Sequence, residues 1–526
     1  MYLGHHARQT PNRAALINAE SNEVLTYAQL DGRSNAVANL LRRFGLAPGS
    51  QIAVLLPNMA EYFEVSWAAL RSGLYLTPLN TYMTVDEIAY IVNDCGADVL
   101  IASAAFSGMF EQLSVATPDC AVKIIVGGTF AGWHDYHTLM ARESRAPLAV
   151  ESAGAIHCYS SGTTGRPKGV KLERPATPVS DGVQRDAKAY ARAYHLTPAT
   201  VYMTPAPLFH SAALHFSIAV QGQGGTVVMM EKFDARKSLQ FMERFRVTHS
   251  QWVPTMFTRM LRIPKAEREA YDLSSHELAL HGGAPCPVHL KRQMLDWWGP
   301  VLLEAYGCTE LYGFTVIGAA DWLLHPGSVG RSMMGAIHIC DDSGAELPAG
   351  ANGLVYFEGE QACAFQYNND PERTRASRHP VHANWATVGD IGYTDAEGYL
   401  YLTDRKDFTI ISGGVNISPQ AVEDALAAHP QVDDVAVLGV PHAEMGEEVK
   451  ALVQLTEGTP ATEELARELV EYVRGKVARY MVPRSIEFVR VLPRLPNGKL
   501  YKQVLRDRFR ADRNGATSGA WEAAHS

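Results

Sequence analysis

The chain of 526 residues lacks several features that would settle its class at a glance. Its seven cysteines (Cys95, Cys120, Cys158, Cys286, Cys308, Cys340 and Cys363) are odd in number, scattered, and form no Cys-x-x-Cys pair. That argues against a disulfide framework, offers no metal-ligand spacing, and suits a reducing cytoplasm. Nineteen histidines contain no His-Glu-x-x-His arrangement, which removes the helical zinc-hydrolase motif. No apolar run approaches the roughly 20 residues of a membrane span. The start, Met1-Tyr2-Leu3-Gly4-His5-His6-Ala7-Arg8, has no apolar signal core, so a cytoplasmic protein without a transmembrane segment is expected. Basic residues are in deficit, 47 against 56 acidic, for a formal charge of −9. No nucleic-acid-coating surface is expected, although a local basic cleft for a polyanion remains open. No repeat period is visible. With 47% apolar and 20% charged residues the chain is globular, and its length calls for two or more domains.

What the sequence does have is concentrated in one stretch. Residues 159–170 read Tyr-Ser-Ser-Gly-Thr-Thr-Gly-Arg-Pro-Lys-Gly-Val. Residues 155–159 before it read as a short buried strand, and Val170-Lys171-Leu172 alternates as a strand should. Between them lie the hydroxyls of Ser160, Ser161, Thr163 and Thr164, the glycines Gly162, Gly165 and Gly169, and the cations Arg166 and Lys168. Glycine lets backbone N–H groups approach an anion, hydroxyls donate to phosphate oxygens, and the cations supply charge. The Walker loop is excluded, because Pro167 stands where its glycine should be and Gly169 follows the lysine. Pro167 pushes Arg166 towards extended backbone, so the loop should run into a strand. A phosphate clamp between two strands is therefore expected; a bare turn would have no use for cations at these offsets.

The rest of the chain supplies a frame for such a clamp. Thr26-Tyr27-Ala28-Gln29 is a capping box opening a helix with Leu30, Ser34, Val37 and Leu41 on one face, stopped at Gly45. Strands are expected over 51–56, 75–79 and 98–102, with helices over 60–72 and from a second capping box, Thr84-Val85-Asp86-Glu87, to Cys95-Gly96. Strand and helix in alternation mean a parallel, helix-covered sheet. The rhythm resumes with strands over 201–204, 225–230, 248–253, 277–281 and 301–304. From about 327 to 401 short strands separated by Gly, Asn and Asp turns predict a small barrel-like or antiparallel segment. After the charged run Asp404-Arg405-Lys406-Asp407 a separate module begins. It has a helix start at Ser418-Pro419, strands over 432–440 and 449–455, and a helix face of Leu465, Leu469, Val473 and Val477. The last fifteen or so residues read as a tail. The expected fold is α/β: a large N-terminal domain over 1–404, a small mobile α+β domain over 405–512, and a tail over 513–526.

Together with motifs nearer the C-terminus, the 159–170 stretch resembles the phosphate-loop signature of the adenylate-forming enzymes: acyl-CoA synthetases, peptide-synthetase adenylation domains and firefly luciferase. The resemblance runs from the first capping box to Lys499. It implies that Ser160, Ser161, Gly162, Thr163, Thr164, Gly165 and Lys168 grip ATP. Tyr306-Gly307-Cys308-Thr309-Glu310 resembles the family's Tyr-Gly-x-Thr-Glu motif. There the threonine touches phosphate, the tyrosine packs on adenine and the glutamate reaches Mg²⁺. One glutamate beside Thr164 suffices for a hard cation that also holds phosphates. His281-Gly282-Gly283-Ala284-Pro285 resembles the glycine-rich wall of the adenine and acyl pockets. His210, after Phe209, matches the histidine beside the reacting carboxylate; Phe209, His210, Leu214, Gly282, Gly283 and Leu311 are the implied acyl pocket. His215 and His281 match no functional position. Asp390 matches the aspartate that accepts both ribose hydroxyls, as a carboxylate can, and Arg405 the arginine nearby.

Further along, Asp407 corresponds to the interdomain hinge, to within one residue, because this chain has Asp407-Phe408 where the family often has lysine-aspartate. Ser412-Gly413-Gly414 resembles the turn lining the CoA thiol tunnel. Lys499, in Pro493-Arg494-Leu495-Pro496-Asn497-Gly498-Lys499, matches the mobile catalytic lysine; without its relatives it would read as a surface lysine beside an Asn-Gly turn. The implied activity is AMP-forming acid–CoA ligation using ATP, Mg²⁺ and CoA. The alternatives are transfer of the acyl-AMP to a carrier protein, an acid–AMP ligase, a luciferase, or a non-catalytic nucleotide- or acyl-binding module, although the last should have lost Glu310, Asp390 or Lys499. The segments 209–214, 281–284 and 311–314 are apolar and have no acid to seat an amine. The expected substrate is thus a hydrophobic monocarboxylic acid: fatty, aryl or polycyclic. The sequence does not fix an oligomeric state.

Overall fold

The computed structural model describes residues 2–160, 167–174, 177–181, 191–360, 363–406, 408–413, 415–442, 444–494 and 500–513. Both capping boxes form as the sequence predicts. Thr26 and Gln29 cap the helix Tyr27–Arg43, and Thr84 and Glu87 cap Val85–Cys95, which ends at the left-handed Gly96. These helices cover a six-stranded parallel sheet ordered His134–Asp135, Val122–Val126, Val99–Ser103, Gln51–Leu55, Tyr75–Pro78, Ala155–Ile156. Strand burial is complete in Gln51–Leu55 and Val99–Ser103, as expected for parallel strands covered on both faces.

A nine-stranded sheet forms the second layer. Its parallel centre runs Leu302–Gly307, Leu278–Gly282, His249–Trp252, Val201–Thr204, Thr226–Met229, Ala14–Asn18, and antiparallel strands lie at both edges. Alternation along its strands sorts the core. Leu278 and Leu280 join Phe216 of the helix Ser211–Gly222, together with Ile52 and Ile101 of the six-stranded sheet, in one apolar cluster bridging the two layers. Ala279 and Val228 face the other way, towards Met256, Phe257 and Met294.

The segment before the clamp departs from the single strand expected. Ala155–Ile156 pairs with Tyr75–Pro78, whereas Cys158–Ser160 pairs antiparallel with Lys168–Leu172 in a separate three-stranded sheet completed by Phe365–Tyr367. His157 is the crossover, its N–H donating to Leu76 O at 2.8 Å. The short strands after 327 are antiparallel as expected. Ile337–Cys340, Gly353–Glu358, Asp390–Thr394 and Leu400–Arg405 pair in that order, with Trp385–Ala386 added to the second. Among the described residues this sheet stays open and does not curl into a barrel. Its core, through Phe357 and Leu400, is continuous with Val170, Phe365 and Tyr367 of the clamp sheet.

The C-terminal module is α+β. The long hairpin Val432–His442 and Gly446–Leu455 is extended by Ile410–Ser412 and by a parallel strand, Ser485–Phe488, that the sequence did not reveal. Its helices Pro419–Ala427 and Glu463–Arg474 bury Val422, Leu426, Leu465, Leu469 and Val473 against it. Pro419 opens its helix as expected, but the Ser418 hydroxyl does not cap it; it donates instead to Thr403 O at 2.7 Å, tying the module to the strand before it. The tail residues 514–526 lie outside the described residues.

Candidate active site

The clamp is a hairpin, with Lys168 opposite Ser160 and Gly169 opposite Tyr159. Gly169 is required there, because a Cβ would stand 2.7 Å from the Tyr159 ring. Tyr159 in turn donates to Asp94 Oδ2 at 2.5 Å, and Asn368 and Asn369 donate to the Asp94 backbone oxygen at 2.7 and 3.1 Å. One aspartate at the end of a helix, through its carboxylate and its backbone oxygen, thus ties the base of the hairpin to the residues that follow the strand Phe365–Tyr367. Ser160 Oγ is shut off from solvent without a partner among the described residues. Ser161, Gly162, Thr163, Thr164 and Gly165 lie outside the described residues.

Lys168 meets Glu310. Its ammonium is 3.0 Å from Glu310 Oε1 and 3.2 Å from the Tyr367 hydroxyl, which itself donates to the same oxygen at 2.8 Å. Lys168 Nζ also lies 4.7 Å from the Tyr367 ring centroid. Glu310 is only 3% exposed. Burial alone would raise its pKa, but the charge and hydrogen bonds of Lys168, with those of Tyr367 and Cys308, outweigh it and leave the carboxyl below its ordinary value. It is therefore an anion at neutral pH. The turn that delivers it is strained: Leu311 N–H donates to Cys308 O at 3.1 Å, and Leu311 adopts φ +50° without being glycine, a conformation costing on the order of 1 kcal/mol or more.

The same turn reaches a second carboxylate. The strand Leu302–Gly307 continues past the expected end at Glu304, with Tyr306 opposite Thr315 and Gly307 opposite Phe314. A Cβ on Gly307 would meet the Phe314 ring at 2.9 Å. Tyr306 donates to Asp390 Oδ2 at 2.5 Å and shares a hydrogen bond of 2.7 Å with Tyr312. Asp390 Oδ1 lies 2.8 Å from Arg405 Nε, and the two residues sit opposite each other in register. Arg405 also donates to Val388 O at 3.2 Å. Thr309, immediately before Glu310, is half-buried. Tyr367 and Tyr312, which hydrogen-bond at these two carboxylates, were not singled out from the sequence: Tyr367 lies outside any motif, and Tyr312 lies just beyond one.

On the acyl side, Gly282 brings two strands together, since a Cβ would lie 2.3 Å from Ala305 O, and Gly283 has φ +78°. Gly283 and Pro285 are exposed and Ala284 half-buried. Phe209 packs on the His210 ring at 4.4 Å. His210 precedes the helix Ser211–Gly222, and its Nε2 is enclosed without a partner among the described residues. Burial lowers its pKa to about 3, so the ring is neutral. Leu214 is wholly buried in the core that bridges the two sheets. His215 Nδ1 is 2.7 Å from Ser211 O. His281 is fully buried, 3.9 Å from Glu304, which is held at 2.6 Å by the buried Lys291.

In the C-terminal module Ser412 and Gly413 end the strand Ile410–Ser412. Gly413 has φ +57°, donates to Met445 O at 2.8 Å, and has no room for a Cβ beside the Met445 side chain. Among the described residues no hydrogen bond joins Ser412 or Gly413 to Glu310 or Asp390. Asp407, Gly414 and Lys499 lie outside the described residues. Arg494 and Leu500 form a bridge, and Tyr501 N–H donates to Pro493 O at 2.8 Å. All seven cysteines are free, and no helix among the described residues is long and apolar enough to cross a membrane.

Residues 3–364 match the family described as AMP-binding enzyme, which covers well over half of the chain. The chain belongs to this family. In keeping with that, residues 421–499 match the AMP-binding enzyme C-terminal domain. The chain is 31% identical over 519 residues to the long-chain-fatty-acid–CoA ligase FadD13 of Mycobacterium tuberculosis, covering 97% of this chain and 98% of that one. It is 30% identical over 516 residues to the fatty acid–[acyl-carrier-protein] ligase ScoC of Streptomyces coeruleorubidus, covering 96% and 95%. Among solved structures it is similar to the anthranilate CoA ligase AuaEII in complex with anthranoyl-AMP, with a TM-score of 0.83 and 25% identity over 97% of each chain.

Proposed function

We propose that this AMP-binding enzyme is an AMP-forming acid–CoA ligase, acting on a hydrophobic fatty, aryl or polycyclic carboxylic acid. The observation that carries the reading is the buried, ionised Glu310 held 3.0 Å from Lys168 at the base of the 159–170 hairpin. Such a pair pre-positions a cation for phosphate and an anion for a metal that accompanies phosphate. Among the described residues no three His, Cys, Asp or Glu side chains gather to cage a metal. A lone ionised glutamate fits an ion that arrives with its phosphates, and Glu310, with Thr164, would hold the Mg²⁺ of MgATP, which offsets phosphate charge when bound.

Activation begins with the carboxylate oxygen of the acid attacking the α-phosphorus of ATP. A P–O bond to the acyl oxygen forms, the α–β P–O bond breaks, and pyrophosphate leaves. In this reading Lys168 and residues 160–165 hold the phosphates, Asp390 accepts the two ribose hydroxyls with Arg405 beside it, and Tyr306, Gly283, Ala284 and Pro285 border the adenine. His210 is neutral and its enclosed Nε2 has no partner among the described residues, so in this reading it orients the acid by a hydrogen bond without adding charge. Lys499 stabilises the α-phosphate as charge builds, worth ~2–4 kcal/mol for a well-placed donor. In the second step the CoA sulfur attacks the acyl carbonyl carbon and AMP departs. The small domain, residues 405–512, turns about Asp407, withdraws Lys499 and brings the Ser412–Gly414 turn to the thiol; alternating arrangements let one site serve both reactions. The scattered thiols suit the cytoplasm, the compartment we assign.

Lys499→Ala decides between this and simpler schemes. It should abolish ATP–pyrophosphate exchange yet still convert supplied acyl-adenylate to thioester. Equal loss of both half-reactions, or of neither, refutes the assignment. A second reading, transfer to a carrier protein, draws support from the similarity to ScoC; failure of free CoA as acceptor while pyrophosphate exchange persists would favour it.

A further inference from the structure

Away from the nucleotide site, the helices Ala235–Arg244 and Pro254–Leu261 border a cleft of about 150 Å³ lined by Asp234, Ala235, Arg236, Arg259, Arg262 and Ile263. Half of that lining is arginine. Arg236 is held in a fork by Glu267, at 2.5 and 3.2 Å. Asp234 caps its own helix, accepting from Lys237 N–H at 2.8 Å. Among the described residues Arg259 has no carboxylate partner. Arg262 is different: it reaches across to Asp433 of the C-terminal module. Burial lowers the Arg262 pKa, and Arg259 lowers it further, so the two guanidinium groups are near enough to repel.

Asp433 is well placed to couple this cleft to the catalytic lysine. Its other oxygen accepts from Gln454 at 2.6 Å. Its neighbour Asp434 grips the guanidinium of Arg494 with both oxygens, and Arg494 is the last described residue before the segment bearing Lys499. Two adjacent acids at the start of the strand Val432–His442 therefore hold the base of the lysine segment on one side and the large domain on the other. With Asp433 in place, Arg236 is paired with Glu267 and Arg262 with Asp433, and Asp434 adds a further negative charge near Arg262. If the small domain turns, Asp433 and Asp434 leave with it and Arg262 loses its carboxylate partner.

We propose that the cleft binds the phosphorylated nucleotide end of CoA, and that Asp433 and a CoA phosphate compete for Arg262. The proposal rests on the acid–CoA ligase reading and adds to it where CoA binds and how CoA favours the turned arrangement. A guanidinium binds a phosphate through two parallel hydrogen bonds as readily as it binds a carboxylate. A ligand shifts a conformational equilibrium only by its difference in affinity for the two states. Arg262 supplies that difference, because it is engaged by Asp433 in one state and open to phosphate in the other. While the adenylate forms, Asp433 keeps CoA out; once the domain turns, bound CoA keeps Asp433 from returning.

The test uses the full chain and compares thioester formation with CoA, with CoA lacking its 3′-phosphate, and with pantetheine, which has no nucleotide. Pyrophosphate exchange, which needs no CoA, checks that each variant is folded. Arg259→Gln and Arg262→Gln should raise KM for CoA about five- to twentyfold, as loss of a charge-assisted contact does, and leave KM for pantetheine near that of the native chain. Asp433→Asn should lower KM for CoA about two- to fivefold, with no such gain for pantetheine. Arginine variants that lose CoA and pantetheine equally, or neither, overturn the binding site. Asp433→Asn with an unchanged or raised KM for CoA overturns the competition. A native chain that forms no thioester with any of the three thiols overturns the ligase reading itself, so the failures are distinguishable.

Discussion

Glu310 and Asp390 each pair with one cation and each accept from one tyrosine, yet they are assembled in opposite ways. Glu310 collects Lys168 and Tyr367 on a single oxygen from two distant segments. Asp390 divides its partners, Arg405 on one oxygen and Tyr306 on the other, and Arg405 comes from the next strand in register. At the first, anion and cation satisfy each other, so in the proposed reading an arriving triphosphate draws Lys168 partly away from Glu310. At the second the backbone register sets the pair, so in the same reading a ribose diol is received without rearrangement.

Substitutions should separate the two. Glu310→Gln should cost most, lowering the rate of pyrophosphate exchange by about 10²- to 10³-fold, because the carboxylate proposed to hold the Mg²⁺ that offsets phosphate charge is lost. Asp390→Asn should act mainly on nucleotide binding, raising KM for ATP about ten- to thirtyfold with a smaller change in kcat, as an amide offers one acceptor oxygen and no charge opposite Arg405. If Asp390→Asn lowers kcat as far as Glu310→Gln does, the division between a reorganising and a preset end is wrong.

The smallest effect is expected for Tyr367→Phe, about three- to tenfold on exchange, and its signature is in pH. Glu310 titrates below its ordinary value in the folded chain. The stability it contributes is therefore complete above the ordinary carboxylate pKa and is lost as pH falls through the lowered one. Removing the Tyr367 donor moves the folded pKa upward towards the ordinary one, so the loss on acidification should be smaller and finish at a higher pH. Urea denaturation across the acid range measures it; superimposable acid limbs for the native chain and Tyr367→Phe would show that the hydroxyl plays no part.

Local chemistry made much of this legible from sequence. Thr26 with Gln29 and Thr84 with Glu87 announced their helices because capping is decided within four residues. Gln51–Leu55 and Val99–Ser103 announced themselves through unbroken apolar runs. Lys168, Glu310, Tyr306, Asp390 and Arg405 were legible as motif members, and the structure joins them into two centres. What stayed hidden depends on long-range packing. Tyr367 and Tyr312 acquire their role only when Phe365–Tyr367 docks beside the hairpin and the turn at Leu311 closes. Gly307 reads as a turn until Phe314 pairs across from it, and Ser485–Phe488 is a strand only because Gly446–Leu455 offers it an edge. Leu214, assigned to the acyl pocket by resemblance, sits in a helix buried almost all round, where apolar periodicity cannot tell pocket from core.

The crossover at His157 has a consequence at a distance. Gly154 precedes it where a methyl group would press 2.4 Å from Leu74 O and 2.6 Å from Ala69 O. The hairpin is thus spliced into the scaffold, its first strand following directly on Ala155–Ile156 of the six-stranded sheet. In the proposed reading a substitution at 154 is expected to impair ATP use in a mutational survey, because a small misfit at the root of the splice is levered outward to Lys168.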